Sequence, residues 1–323
     1  LSVIFPTRNR ADLLAAALEA LTKQTLPSEA FEILVVDNDS SDQTPAVAER
    51  YAARLGNLAY LRVPELGLHS GRHAGLRAAR GGVLVYADDD IEACPSWLES
   101  IAEAFVDPEV ALVGGNNLPA FVKPPPRWLL RMWEQSASMG GHAIPPLSVL
   151  ELPGPERDMS PSWVWGCNFS IRREVLLAAG GFHPDGMPTQ LLHMRGDGES
   201  HVSRQVRERG LRCRFHPGAS VYHKVTPDRM TFAYFRERGF RQGISDSYTA
   251  LRAGRPPRRV GPTVRRVLQW GLWQVRGMLA SDPEMHQAQL ALVAGLAAGY
   301  AHHQHLYRTS AELRDWVHKP TYL

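Results

Sequence analysis

Five short apolar runs, each closed by a polar cluster or turn and separated from the next by a longer segment of helical period, constrain this chain more than any other feature. They are Leu1 to Phe5, Ile33 to Asp37, Ala59 to Arg62, Val83 to Ala87 and Val110 to Gly115. Runs this short suit strands covered on both faces better than helices. Between the first two, Leu13, Leu14, Ala17, Leu18 and Leu21 form a stripe at helical spacing, which predicts an amphipathic helix. Thr44 followed by Pro45 predicts an N-cap and a first-turn proline for a second helix, ending near Leu55. Strand and helix in alternation are the mark of βα units around a mostly parallel sheet, so the fold class is α/β.

The pattern changes at Phe121. Pro124, Pro125, Pro126, Pro145, Pro146, Pro153 and Pro155 interrupt the stretch to Pro161, which reads as a long irregular connection with one short helix, Trp128 to Trp133. Regular structure resumes with Trp163 to Ile171, helices over Arg173 to Ala179 and Glu199 to Arg209, and strands near Arg212 to Phe215 and Ser220 to Tyr222. Beyond Pro227 the chain reads as helix, broken from Gly254 to Pro262, then as helix to the end.

Charge is unevenly divided. Residues 1–225 hold 22 Lys/Arg against 26 Asp/Glu, a net −4, and residues 226–323 hold 14 against 7, a net +7. The whole-chain net charge is only +3, which argues against general nucleic-acid binding. Cys94, Cys167 and Cys213 are scattered and fit neither a disulfide framework nor a thiolate zinc site. A reducing, cytoplasmic setting is expected, with no signal peptide and no spanning helix.

Asp88, Asp89 and Asp90 follow directly on an apolar strand, and the carboxyl ends of strands are where open α/β sheets bind ligands. Three adjacent carboxylates repel unless a cation neutralises them, and oxygen ligands suit Mg²⁺ or Mn²⁺. The first strand likewise delivers Pro6, Thr7, Arg8, Asn9 and Arg10, and the second Asp37, Asn38, Asp39, Ser40 and Ser41. Gly67, Gly71 and Gly75 recur every four residues around Arg72. Close helix packing explains such a stripe as well as phosphate binding does, and it matches neither a dinucleotide fingerprint nor a P-loop.

In these motifs the sequence resembles the family 2 glycosyltransferases of the GT-A fold. The resemblance rests on FPTRNR at 5–10, VVDNDSSDQT at 35–44, the glycine-arginine segment ending at Gly81, DDD at 88–90, GCNFSIRREVLLAAGGF at 166–182, GESHVSRQVRERG at 198–210 and FHPGASVYHKV at 215–225. It covers about residues 1–225. The implied organisation is a GT-A-like domain over that range, its nucleotide-binding part about 1–115 and its acceptor-side part about 116–225, followed by a helical region, 226–323.

The resemblance implies roles. Pro6, Thr7, Arg8 and Asp37 would hold the nucleotide base, Arg72 would lie near the nucleotide, and Asp88 would contact the ribose, with Asp89 also on the nucleotide-sugar. Asp90 and His223 would hold the divalent cation. Glu199, counted back from Gly210, stands where the family places its base, and Asp197 is the alternative because Gly198 replaces the usual preceding Glu. His73 stands where many relatives have Asn. Trp163, Trp165 and Asn168 are candidates for a sugar or acceptor pocket. The implied reaction is inverting transfer of one sugar from a nucleoside-diphosphate sugar, UDP first, to a hydroxyl on a glycan, a lipid-linked or a small-molecule acceptor.

Other readings have less support. A sugar nucleotidyltransferase would carry a glycine-rich loop where FPTRNR stands, and a processive synthase would carry spanning helices and QxxRW. A non-catalytic nucleotide-sugar or glycan-binding protein is the reading favoured by Gly198. In the helical region, Val267, Trp270 and Trp273 beside Arg265, Arg266 and Arg276 are candidates for a contact with an anionic membrane surface, between copies of the chain, or with the catalytic domain.

Overall fold

The apolar runs become strands sealed from water, which fixes the middle of a sheet. Every residue of β1 (Ser2–Thr7), β2 (Glu32–Asp37) and β6 (Val110–Gly114) is buried. A computed structural model describes residues 1–138, 140–257 and 282–323. The other strands are β3 (Leu58–Arg62), β4 (Val83–Ala87), β5 (Ile91–Ala93), β7 (Asn117–Phe121), β8 (Ala137–Ser138), β9 (Gly141–Ile144), β10 (Val149–Glu151), β11 (Arg157–Asp158), β12 (Asn168–Arg172), β13 (Arg212–Phe215) and β14 (Val221–Val225). The helices are α1 (Ala11–Leu21), α2 (Thr44–Leu55), α3 (Leu68–Ala78), α4 (Trp97–Ala104), α5 (Arg127–Gln135), α6 (Arg173–Ala178), α7 (Glu199–Glu208), α8 (Phe232–Arg252), α9 (Pro283–Thr309) and α10 (Ala311–Val317).

The large sheet runs β11-β13-β6-β12-β4-β1-β2-β3. β4, β1, β2 and β3 are parallel neighbours, and β12 enters antiparallel between β4 and β6. This is a mixed α/β fold with a central sheet between helices and a helical carboxyl-terminal part. The start of α2 differs from expectation: Gln43 is the N-cap and Thr44 the first helical residue. The Asp42 carboxylate accepts the Thr44 N–H at 2.9 Å and the Ala11 N–H at 3.1 Å, so one acid serves the starts of α1 and α2 and displaces the Thr44 hydroxyl from that task.

Residues 121–161 are more regular than their prolines suggest, because β8, β9, β10 and β11 form there. The first three join a second sheet, β5-β14-β7-β10-β9-β8. Its register sets His223 of β14 opposite Ile91 of β5, one residue past the DDD turn. The sheet is therefore the device that brings residue 223 to residue 90.

The two long carboxyl-terminal helices pack backbone to backbone. A Cβ on Gly239 or Gly243 of α8 would stand 2.1 Å from the Leu292 or Leu296 carbonyl oxygen of α9, and one on Gly295 or Gly299 would stand 1.9 Å from that of Arg236 or Phe240. The contacts advance together along both helices, so these run in the same sense. The apolar-basic face proposed around Trp270 lies outside the described residues. No helix among the described residues is long and apolar enough to cross a membrane, and the three cysteines are free thiols.

The chain then returns to the main body. His73 Nε2 accepts the Phe182 N–H at 2.9 Å, which leaves the proton on Nδ1 to donate to the Tyr322 carbonyl at 3.0 Å. His73 thus ties α3 to the carboxyl-terminal segment, a task its neighbours give it.

Two predictions follow from this packing. Gly299→Ala pushes α9 off α8 and lowers stability by about 2 kcal/mol, the cost of overpacking, whereas Gly82→Ala, with open space around its Cβ, leaves Tm unchanged in the same thermal melts. Burial drives His69 and His201 down to about 4 and His73 to about 3 from an ordinary 6.5. Protons therefore bind the unfolded chain first, and the stability present above pH 6.5 drains away as pH falls towards these values. Melts between pH 7 and pH 4 should show that slope, and His73→Asn should flatten it.

Candidate active site

The parallel strands β1, β2 and β4 end side by side, and a cleft of about 260 Å³ opens over their ends. Pro6, Thr7 and Arg8 line it from β1, Asp88 and Asp89 from the turn after β4, and Asn38 from the end of β2. Gly71 of α3 is a wall. A Cβ on Gly75, one turn on, would meet Ile4 at 2.4 Å, so the glycine stripe exists to let α3 lie close on β1. Asp37 is fully buried beneath the cleft, its carboxylate accepting from the Ser40 N–H at 2.8 Å and the Tyr60 hydroxyl at 2.7 Å. Side chains alternate along a strand, so the residue that reaches the cleft is its neighbour Asn38. Asn38 also accepts from the Gly67 N–H at 2.9 Å and donates to the Val63 carbonyl at 3.0 Å, which fixes the loop ahead of α3.

The three aspartates part company. Asp89 turns inward, accepting from the Thr7 hydroxyl at 2.7 Å and pairing with Arg10. Asp88, Asp90 and His223 converge, each offering one ligand atom within 4.8 Å of the others. His223 Nε2 lies 3.2 Å from Asp90 Oδ1, yet it is not aligned to donate, and that buried oxygen has no hydrogen-bond partner. Burial and the Asp90 carboxylate push Asp88 above the usual carboxylate range. Burial also works against the charge on Asp90, but His223 and then Arg10 and Arg229 hold it below that range. Two carboxylate oxygens, one of them orphaned, and an imidazole nitrogen fit a divalent cation such as Mn²⁺.

Arg72 lies behind this cluster. Its guanidinium is 3% exposed, with Nη2 4.0 Å from Asp88 and Nη1 3.3 Å from Glu199. It rests on the Phe182 ring, 5.0 Å from the centroid. The other Glu199 oxygen accepts the Gly166 N–H at 3.3 Å. A Cβ on Gly166 would stand 2.2 Å from Arg72 Nη2, so only glycine admits this approach. Glu199 lines a second cleft, of about 320 Å³, between α7, α8 and the segment carrying Trp165.

The remaining candidates separate on geometry. Asp197 is buried and saturated by His183 at 2.6 Å, Arg204 at 2.7 Å and Thr249 at 2.7 Å, and it lines neither cleft. Gly198 adopts φ 50° and ψ −126°, a backbone conformation that a residue with a Cβ rarely adopts. Trp165 lines the second cleft, and Trp163 packs beside it with ring centroids 6.0 Å apart. Asn168 does not reach the cleft: it accepts from Trp97 Nε1 at 3.0 Å and donates to the Ala219 carbonyl at 2.9 Å, a buried clamp between α4 and the loop before β14. Two arginines without an assigned role in the sequence join the site. Arg10 pairs with Asp89 and lies 3.3 Å from Asp90, and Arg229, from the turn after β14, lies 3.4 Å from Asp90. Arg10 was legible within FPTRNR, but Arg229 lies beyond every recognised motif.

The family model described as "Glycosyl transferase family 2" matches residues 2–176, more than half of the chain. The chain belongs to glycosyl transferase family 2. The chain is 36% identical over 116 residues to glycosyltransferase AglE of Haloferax volcanii, covering 36% of this chain and 38% of that protein. It is 29% identical over 200 residues to validoxylamine A glucosyltransferase of Streptomyces hygroscopicus subsp. jinggangensis, covering 57% and 47%. The matched part thus spans less than half the length of these curated relatives. Among solved structures, the mannosyltransferase PcManGT of Pyrobaculum calidifontis, in complex with GDP-Man and Mn²⁺, superposes with a TM-score of 0.53 at 22% identity, over 98% of this chain and 82% of that one. TarS 1–349 of S. aureus, in complex with UDP, gives 0.50 at 17% identity over 95% and 91%. These two likenesses establish the GT-A architecture.

Gly166→Ala tests the contact at the centre of the site. The added methyl displaces Arg72 from Glu199, and transfer should fall by about 10²-fold or more while Tm changes by only a few degrees, read by product assay and thermal melt on the same preparation.

Proposed function

We propose that this glycosyltransferase moves one sugar from a nucleoside-diphosphate sugar to an acceptor hydroxyl, with a divalent cation and with inversion at the anomeric carbon. The observation that carries this reading is the bridge Arg72 makes between the walls of two clefts, reaching Asp88 of the one that holds the DDD turn and Glu199 of the other. The donor lies over the ends of β1 and β4, with Pro6, Thr7 and Arg8 along the nucleotide and Asp37 bracing β2 beneath it. UDP is the favoured carrier. The UDP complex of TarS and the GDP-Man and Mn²⁺ complex of PcManGT support the donor class and the cation.

Asp88, Asp90 and His223 would hold Mn²⁺ or Mg²⁺, which when bound offsets the charge that develops on the departing diphosphate. Arg10, partly exposed at the same edge, adds a positive charge there. Glu199 accepts the proton of the acceptor hydroxyl as its oxygen bonds to the anomeric carbon and the bond to the diphosphate oxygen breaks. Arg72 and the Gly166 N–H each hold one Glu199 oxygen, which orients the carboxylate. Glu199 is the one acid among the described residues lining the second cleft. A single base opposite the leaving group supports direct displacement, hence inversion.

The test is a thermal-shift screen of UDP, GDP and their sugars, with and without Mn²⁺, followed by product assay. A bound nucleotide raises Tm by mass action. The wild type should respond to one nucleotide only with metal, Asp90→Ala should lose that response, and Glu199→Gln should keep it while transfer drops about 10²- to 10⁴-fold. No nucleotide response in either condition would overturn the reading. Unchanged transfer in Glu199→Gln would remove Glu199 as the base.

A further inference from the structure

The second cleft is built with positive charge. One face of α7 turns Glu199, Ser203, Arg204 and Arg207 into it, and α8 adds Arg238 and Gln242, one turn apart. Three guanidiniums therefore face one carboxylate. Asp197 offsets Arg204 at 2.7 Å. Arg207 makes no side-chain hydrogen bond or ion pair among the described residues. Arg238 is half-buried, and its Nε donates to the Pro146 carbonyl at 3.2 Å. Its two terminal nitrogens meet no carboxylate within ion-pair distance among the described residues. A guanidinium taken partly out of water without a counter-charge costs free energy that an arriving anion returns. The first turn of α7 lines the same space with Glu199 and Ser200, and the positive end of the helix dipole there also favours negative charge.

We propose that this cleft takes an acceptor bearing an oxyanion, a phosphate or a carboxylate, close to the hydroxyl that receives the sugar. Arg207 and Arg238 bind the oxyanion, Ser203 and Gln242 take neighbouring hydroxyls, and Trp165 supplies a flat apolar wall for a ring or carbon chain. The position of the hydroxyl rests on the reading of Glu199 given above, whereas the oxyanion site stands on the arginines alone. When Glu199 takes up the acceptor proton, the cleft loses its only lining carboxylate and its positive charge rises. An anionic substituent on the acceptor offsets that rise within the transition state, so its effect should appear in kcat as well as in KM.

The experiment measures Tm shifts for glycerol 1-phosphate and glucuronate against glycerol and glucose, at ionic strength matched with sodium chloride, on the protein with and without UDP and Mn²⁺. The variants are Arg207→Gln, Arg238→Gln, both together, and Arg238→Lys, which keeps the charge if the glutamine variant fails to fold. The anionic probes should stabilise the wild type and the neutral ones should not. Each glutamine variant should weaken that binding about tenfold or more, the weight of a lost charge-assisted hydrogen bond. The double variant should abolish it while its response to UDP and Mn²⁺ stays that of the wild type, and Arg238→Lys should retain part of the binding. The phosphate and carboxylate arms identify which oxyanion the site takes. Equal responses to charged and neutral probes, or a double variant that still binds the anions, would overturn the proposal. Loss of the nucleotide response in the wild type would instead overturn the donor reading and leave the anion result to be read separately.

Discussion

The guanidinium of Arg72 joins the parts of this molecule that must act together. It is held between Asp88, at the end of a central strand, and Glu199, at the first turn of α7, 127 residues away in sequence. A cation buried this deeply is stable only because both carboxylates and the Phe182 ring surround it. The same arrangement spaces the acids: two carboxylates on opposite sides of one planar group cannot collapse together and cannot drift apart without exposing an uncompensated charge. The spacing of the Asp88 and Glu199 carboxylates is therefore set by the width of a guanidinium.

Holding Arg72 there requires close approach on three sides. Gly75 lets α3 settle on Ile4 of β1, which lowers Arg72 towards the strand ends. Gly166 removes the side chain that would occupy the guanidinium's place. His73, next along α3, fixes Phe182 through its backbone N–H and takes the Tyr322 carbonyl on its other nitrogen. The carboxyl-terminal segment is thus bonded to the helix that carries Arg72. An imidazole can serve two backbone groups in opposite directions, one as donor and one as acceptor. An asparagine offers the same chemistry from a shorter, differently shaped amide, so a histidine at residue 73 belongs with a chain that returns to meet it.

Legibility in the sequence followed the range of the interaction. Strands buried on both faces announce themselves in a few adjacent residues, and β4 has the ends read from its apolar run. The DDD turn was readable because three like charges after a strand are costly without a purpose. The strands within 121–161 were not, because β8 to β11 are two to four residues long and owe their order to pairing with distant partners rather than to any periodicity of their own. Asn168 was misplaced for a related reason: a polar residue near tryptophans looks like a sugar contact, and only the fold shows its amide spent on Trp97 and Ala219. Asp37 and Asn38 are adjacent, and the pleat alone decides which of them sees the cleft. Gly239, Gly243, Gly295 and Gly299 were readable as two small-residue stripes, but nothing in either stripe names the other as its partner.

The division of charge along the chain takes on a physical meaning in the folded molecule. The first 225 residues are net acidic and the last 98 net basic, and the basic part does not stand apart: Arg229 comes back to within 3.4 Å of Asp90, and Arg238 to the wall beside Glu199. A turn of three aspartates concentrates negative charge at one point of the sheet edge, while the substrates expected there are themselves anionic. Unscreened, that turn would repel both. Arginines supplied from elsewhere in the chain offset that charge at close range, and the cation the donor set fits would offset it further. On the function proposed above, that balance would let the acids hold a metal and take a proton without repelling an anionic substrate.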